Sequence, residues 1–334
     1  MSASSPAAAA AYAHSVLMFA GKPLAPPAPE SPAAQKIAVP ASLKDRSATI
    51  EPSGVAWAQA LDRYLVVSDD TGDSGNHHQP WVLAMTRAGA FDGAPIFIEG
   101  LTELNDAESI TSGPDGLFFL STSHSLNKRG HESAPRQMLV LLELAGRTLR
   151  VAGRVDLKTA RAADGGGLLE IAGLPTDGRL DIEAITFREG ALLIGLKSPL
   201  TAKNNAVVLR LASPVAALRA GKIAAGAVTR QWEVTLAVTD KRIPQGIADL
   251  ATLPDGSLAI AANAPKGGPA DGGGALYHFV PGAGTAPRLL RHFSGLRPEG
   301  VTVSADGKEL VVVFDQNDDP PMWMTWPLPA RGAK

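Results

Sequence analysis

One unit recurs five times between Ile50 and the end of the chain: a short apolar strand, a tight turn and a second, denser apolar strand. The first strand reads Ser53-Gly-Val-Ala-Trp57, Glu108-Ser-Ile-Thr111, Glu183-Ala-Ile-Thr-Phe187, Gln245-Gly-Ile-Ala248 and Glu299-Gly-Val-Thr-Val303. The turns that follow are Leu61-Asp-Arg63, Pro114-Asp-Gly116, Arg188-Glu-Gly190, Pro254-Asp-Gly256 and Ala305-Asp-Gly307. Asp-Gly between apolar runs is a hairpin signal, because both residues tolerate the positive φ that such turns need. Second strands are expected at 64–68, 117–121, 191–196, 257–262 and 309–314, and third strands at 81–85, 138–144, 206–211, 275–280 and 322–326. Fourth strands are expected at 94–99, 148–157, 230–236 and 288–293, and the last unit lacks one.

Four-stranded antiparallel sheets repeated radially make a β-propeller, so the fold class is all-β. The segment Lys36 to Ala41 is the candidate for the missing strand, closing the ring from the N-terminal side. Successive first strands start 55, 75, 62 and 54 residues apart, and the excess lies in a glycine-rich insertion at Lys158 to Arg179. No further first strand with its own turn is visible there, so five blades is the reading and six the alternative. The Ala/Pro/Ser-rich residues 1–35, with a short helix over 7–19 and a proline-rich tether over 23–32, form an N-terminal extension, and residues 36–334 the propeller.

Composition removes several functions. The net charge of −2 and the lack of any basic run exclude a nucleic-acid surface. With no cysteine there is no disulfide, zinc-thiolate site or thiol nucleophile. No apolar stretch approaches the roughly 20 residues that span a bilayer. The N-terminal stretch lacks a basic start and long apolar core, so a periplasmic or secreted location requires a signal upstream, and a cytoplasmic one does not. Serine-hydrolase, P-loop and zincin motifs are missing, and neither acidic loop, Asp69 to Asp73 or Asp315 to Asp319, has the glycine and closing glutamate of an EF-hand.

In a propeller the start of each innermost strand and the loop between second and third strands open on one face. Ser53, Glu108, Glu183, Gln245 and Glu299 occupy the strand starts, with Glu51, Asp106 and Asp181 two residues earlier and on the same side. Such an oxygen-rich ring suits a hard cation, calcium first, with Glu108, Glu183, Glu299, Gln245 and Asp181 as ligands. The alternative is that each glutamate accepts backbone hydrogen bonds and staples the ring. Arg129, Lys197, Lys203, Lys266 and Arg297 are expected on the same face as contacts for a small anionic substrate. His124, directly after a buried strand, and Asp106 are the candidate bases for activating water.

The starts Asp106-Ala-Glu108-Ser-Ile110 and Asp181-Ile-Glu183-Ala-Ile185, with Gly195-Leu-Lys-Ser-Pro199, resemble a bacterial propeller family of unknown function. Its hallmark is Asp-x-Glu-Gly-[Ile/Leu] followed by Gly-Leu-[Arg/Lys]-x-Pro, and it is distantly related to esterase-like phytase propellers. More remotely, the acidic channel is similar to that of the calcium-dependent gluconolactonases and paraoxonases, which are six-bladed and add asparagine ligands. The resemblance implies a calcium-dependent hydrolase of a phosphoester or lactone. The competing expectation is a non-catalytic module that binds a peptide, sugar or protein partner, since propellers host both. The oligomeric state is not readable from the sequence.

Overall fold

Apolar runs bounded by turns become strands buried on both faces, and these strands assemble in order along the chain. In the computed structural model the described residues are 33–44, 50–69, 71, 78–127, 129–238, 243–265, 273–282, 286–316 and 320–328. The chain divides into residues 1–32 and 33–334; the helix and tether expected in the first unit lie outside the described residues. A short strand β1 (Gln35–Lys36) precedes a first sheet of β2 (Pro52–Ala58), β3 (Arg63–Ser68), β4 (Trp81–Met85) and β5 (Ile96–Glu99). The second comprises β6 (Ala107–Ser112), β7 (Leu117–Thr122), β8 (Leu139–Ala145) and β9 (Thr148–Val155). The third comprises β10 (Asp181–Arg188), β11 (Ala191–Ser198), β12 (Ala206–Ala212) and β13 (Val228–Val234). After a two-stranded ribbon of β14 (Ala237–Val238) and β15 (Ile243–Pro244) comes β16 (Gly246–Thr252), β17 (Leu258–Asn263), β18 (Gly274–Phe279) and β19 (Arg288–Phe293). The last set is β20 (Arg297–Val303), β21 (Glu309–Asp315) and β22 (Met322–Pro327).

The first strands form a closed circuit: β2 packs on β6, β6 on β10, β10 on β16, β16 on β20, and β20 back on β2. A separate apolar core fills each wedge between neighbouring sheets. Phe119, Leu141, Leu192 and Leu209 lie between the second and third sheets, for example, and Val66, Leu83, Val311 and Trp323 between the last and the first. This is a β-propeller arrangement. The outer edges of the first two sheets are joined, β5 running parallel to β9 with Ile98 opposite Leu149 and Glu99 opposite Arg150.

β1 completes the last sheet, with Gln35 opposite Trp323 and Lys36 opposite Met322. This pairing begins one residue earlier than the expected strand and is shorter. Ala38 instead bonds the turn of the first sheet, its N–H donating to Gly89 O at 2.9 Å, and Ala41–Lys44 is a helical turn. The segment therefore bridges the last sheet to the first, with Ile37 and Leu43 buried in the wedge between them. The insertion at 158–179 holds no strand. Its helix over Leu168–Ala172 sinks Leu168 and Ala172 into the second wedge, and Leu174, just past the helix cap, joins them.

The axis itself is blocked. Asp249, 1% exposed, accepts hydrogen bonds from Ser109 Oγ at 2.7 Å and Val301 N–H at 2.8 Å, and Ser109 Oγ accepts from Ile185 N–H at 3.2 Å. One carboxylate thus ties together the first strands of four sheets. Gly54 completes the constriction: a Cβ there would stand 2.6 Å from Ser109 Cα, so only glycine fits. Burial pushes the Asp249 carboxyl well above its usual range against the opposing pull of its Val301, Ser109 and Leu250 donors.

Candidate functional site

Each first strand begins with a β-bulge, and register identifies equivalent positions without reference to sequence motifs. The unpaired residue is Ser53, Glu108, Glu183, Ala248 and Glu299 in turn. In the fourth sheet this differs from the sequence expectation: Gln245 lies three residues before the bulge. Its side chain bonds Gly273 O and accepts from Tyr277 Oη, at 3.5 and 3.3 Å, bracing β18. The candidate ligand role of Gln245 is thereby withdrawn. Two residues before each bulge stand Glu51, Asp106, Asp181, Gly246 and Arg297, and one residue beyond the second-strand partner of the residue preceding each bulge stand Asp69, Ser123, Lys197, Asn263 and Asp315. Backbone bonds between sheets draw these positions together, Asp106 N–H donating to Asp69 O and Ile182 N–H to Ser123 O. Gly246 passes so close to the Lys197 carbonyl that a Cβ would lie 2.0 Å from its oxygen.

The acids of this tier divide into two groups. In the first, Asp69, Asp106 and Glu108 bring carboxylate oxygens within 4.8 Å of one another. Asp106, held at φ 61°, is ion-paired with Arg136 and accepts from Ser123 Oγ. Arg136 is fixed in turn by Asn105 Oδ1 at 3.2 Å and Ser125 Oγ at 2.8 Å. Burial, then the charge of Asp106, push both Asp69 and Glu108 well above the usual carboxylate range, and Glu183 adds to the repulsion on Glu108.

In the second group the expected ligands Glu183 and Glu299 are already compensated. Lys197, 3% exposed, is ion-paired with Glu183 and reaches Glu299 at 3.3 Å; Arg297 holds the other oxygen of Glu299 at 2.9 Å. Burial pulls the Lys197 ammonium down, but the charges of Glu183 and Glu299 outweigh it and hold it above its ordinary value. Burial also raises the Glu183 carboxyl against the pull of Lys197. One ammonium facing two carboxylates favours the ion pair, so we take both partners as charged.

Other candidates fall elsewhere. Lys197 is a buried counter-ion and not an exposed substrate contact. Lys203 N–H donates to Thr201 Oγ at 3.3 Å, and that hydroxyl bonds Glu233 of β13, the outermost strand of its sheet, at 3.0 Å, which places Lys203 toward the sheet's outer edge. Arg129 is exposed in a loop turned by Asn127, whose Oδ1 accepts the Arg129 N–H at 2.9 Å. Lys266 lies outside the described residues. Asp181 keeps its expected place and adds to the field that raises Glu108.

His124 is corrected most sharply. A left-handed φ of 56° turns it inward, where it is fully buried; Nδ1 donates to Thr122 O at 2.8 Å and Nε2 accepts from Leu157 N–H at 3.2 Å. Both nitrogens serve the backbone, so none remains to take a proton from water. Burial pulls its pKa down to about 4 despite Asp156 nearby. The unfolded chain therefore binds a proton near pH 6.5 that the folded chain refuses until about pH 4. This contribution to stability is complete above pH 6.5 and is lost as pH falls toward 4, by about 3 kcal/mol. Urea denaturation should show the parent losing more stability over that interval than His124→Asn, which is weaker at pH 7. Equal losses in both proteins would contradict the buried neutral imidazole.

Sequence reasoning missed Asp69 and Arg136 in the cluster and Asp249 on the axis. Aligning the second-strand ends would have found Asp69. Asp249 follows once the fourth unit is aligned on its turn, since Ala248 precedes Asp255 by the same seven residues that separate Glu108 from Asp115 and Glu299 from Asp306.

No protein-family model and no curated protein matches the chain. Among solved structures it is similar to a glucose dehydrogenase at 13% identity and TM-score 0.46, covering 89% of this chain and 100% of that one. It is similar to the soluble aldose sugar dehydrogenase of Escherichia coli at 11% identity and TM-score 0.46, with the same coverage. A gluconolactonase from Xanthomonas campestris aligns at 14% identity and TM-score 0.39, over 90% of this chain and 86% of that one. At these levels of likeness no functional residue is transferred to this chain.

Proposed function

We propose that the chain is a five-bladed propeller hydrolase that uses a hard divalent cation, calcium foremost, against an uncharged ester or lactone. The observation that carries this is the convergence of Asp69, Asp106 and Glu108, from two adjacent sheets, in a tier where, among the described residues, carboxylates outnumber cations. All-oxygen donors fit calcium, and a cation would relieve the repulsion that raises Asp69 and Glu108. When bound, such an ion supplies Lewis acidity toward a carbonyl oxygen and lowers the pKa of a bound water. Arg136 and Ser123 fix the direction of Asp106, while Lys197 and Arg297 keep Glu183 and Glu299 from competing for the ion. The lactone is favoured over the phosphoester because Arg136, Lys197 and Arg297 are all engaged by carboxylates, leaving a negative field that repels anions.

The second reading is a cation-dependent binding module. It is favoured by one observation: neither residue expected to activate water is available, His124 being tied to the backbone and Asp106 to Arg136.

Metal analysis of purified protein, melting with calcium or chelator, and a panel of lactones and esters test both readings. Calcium at a hundredfold excess over Kd should stabilise the parent by about 2.7 kcal/mol. Asp69→Asn and Glu108→Gln should lose this response, and Glu183→Gln should keep it. Metal binding without turnover would select the binding module. A parent that holds no metal, and whose melting ignores calcium and chelator alike, would end both.

A further inference from the structure

Beyond the axial constriction, toward the hairpin turns, the first strands of all five sheets enclose a cavity of about 230 Å³. Its inner end is bounded by Val55, Ile110, Leu250 and Val301, sequence neighbours of Gly54, Ser109, Asp249 and Gly300, and a Cβ on Gly300 would lie 3.0 Å from Gly54 Cα, so the pocket is blind. Among the described residues no charged side chain lines it. Among its lining residues are the hydroxyl-bearing Thr111, Ser112, Thr186, Thr252 and Thr302, together with Trp57.

Thr186 and Thr252 bond each other at 3.0 Å. The hydroxyls of Thr111, Ser112 and Thr302 have no protein partner among the described residues and remain for water or a ligand. Trp57 is held edge-on to Tyr64, with the Arg87 guanidinium 4.8 Å from its ring centroid. Hydroxyls that both donate and accept, beside a fixed aromatic ring and without charge, match a neutral polyhydroxylated molecule. Carboxylates, phosphates and amines would lose hydration with no opposite charge to replace it. Roughly seven or eight waters' share of liquid volume fits the space, the scale of a monosaccharide or cyclic polyol.

We propose that this blind end of the axis is a binding pocket for a neutral monosaccharide or cyclic polyol. It is separated from the carboxylate tier by Asp249 and does not depend on the hydrolase reading. Isothermal titration of the full chain with glucose, galactose and myo-inositol tests it, with glucuronate and glucosamine as charged probes. At least one neutral probe should bind and the charged ones should not, with the same affinity in calcium and in chelator. Thr302→Val, which conserves shape, should weaken binding about tenfold, the loss expected for one hydrogen bond to a buried ligand, while leaving the melting temperature in place. Trp57→Phe should remove the fluorescence change on binding, and Lys203→Ala, remote from the pocket, should alter nothing. If no neutral probe binds at 10 mM (roughly the weakest affinity worth calling a site), the cavity holds water only and the proposal fails. Binding that survives both Thr302→Val and Thr111→Val undiminished would place the ligand elsewhere and overturn it equally.

Discussion

Replacing Lys197 with methionine should cost about 3–5 kcal/mol at pH 7, because it removes the counter-ion from two buried carboxylates without removing their charge. Against a total stability of about 5–15 kcal/mol, that is enough to unfold part of the population at room temperature. The loss should shrink toward pH 4–5. In the variant the folded state holds Glu183, whose carboxyl burial raises, above its unfolded pKa, so protonation favours the fold and stability falls as pH rises through that range. Adding Glu183→Gln and Glu299→Gln to Lys197→Met should recover most of the loss, since the charges are then absent together. Equilibrium urea denaturation across pH measures all three proteins. A single variant within about 1 kcal/mol of the parent at pH 7 would mean that Lys197 is solvated and that the two glutamates are free for other work.

Deletion of residues 1–44 should be the other severe change. It withdraws Ile37 and Leu43 from the wedge between the last and first sheets, at about 1.5–3 kcal/mol each, and leaves the β22 edge without its partner. An exposed strand edge templates pairing with other chains, so the truncated protein should melt earlier and aggregate. Deletion of residues 1–32, an Ala/Pro/Ser-rich stretch by composition, should change stability by about 0.5 kcal/mol or less. Calorimetry and light scattering on the two truncations distinguish the cases, and matching behaviour would disprove closure through β1.

The strands and hairpins were legible because their signals are local: Asp-Gly at 115–116, 255–256 and 306–307, and dense apolar runs such as Leu192 to Leu196. The fourth register is hidden in the sequence because Gln245-Gly-Ile imitates Glu299-Gly-Val, while the distance to the turn, which pairing obeys, points three residues further on. That Asp106 and Glu108 face the tier follows from alternation. That Lys197 neutralises Glu183 and Glu299 does not, because it depends on a second-strand residue meeting two first strands at once. His124 was misplaced for a related reason. Its position after β7 says that the chain turns there, and only the sign of φ decides whether the ring turns to solvent or into the core.

The parallel seam between β5 and β9 bears on how the molecule opens. The outermost strand of a propeller sheet ordinarily frays first and exchanges its amide protons fastest. Here the hydrogen bonds that join Ile98 and Glu99 to Leu149 and Arg150, reinforced by the Arg150–Glu99 pair at 2.7 Å, make each edge part of its neighbour's sheet. Neither edge can peel outward without breaking this seam. Amide exchange at β5 and β9 should therefore be slower than at β13 and β19, which have no such strand partner among the described residues.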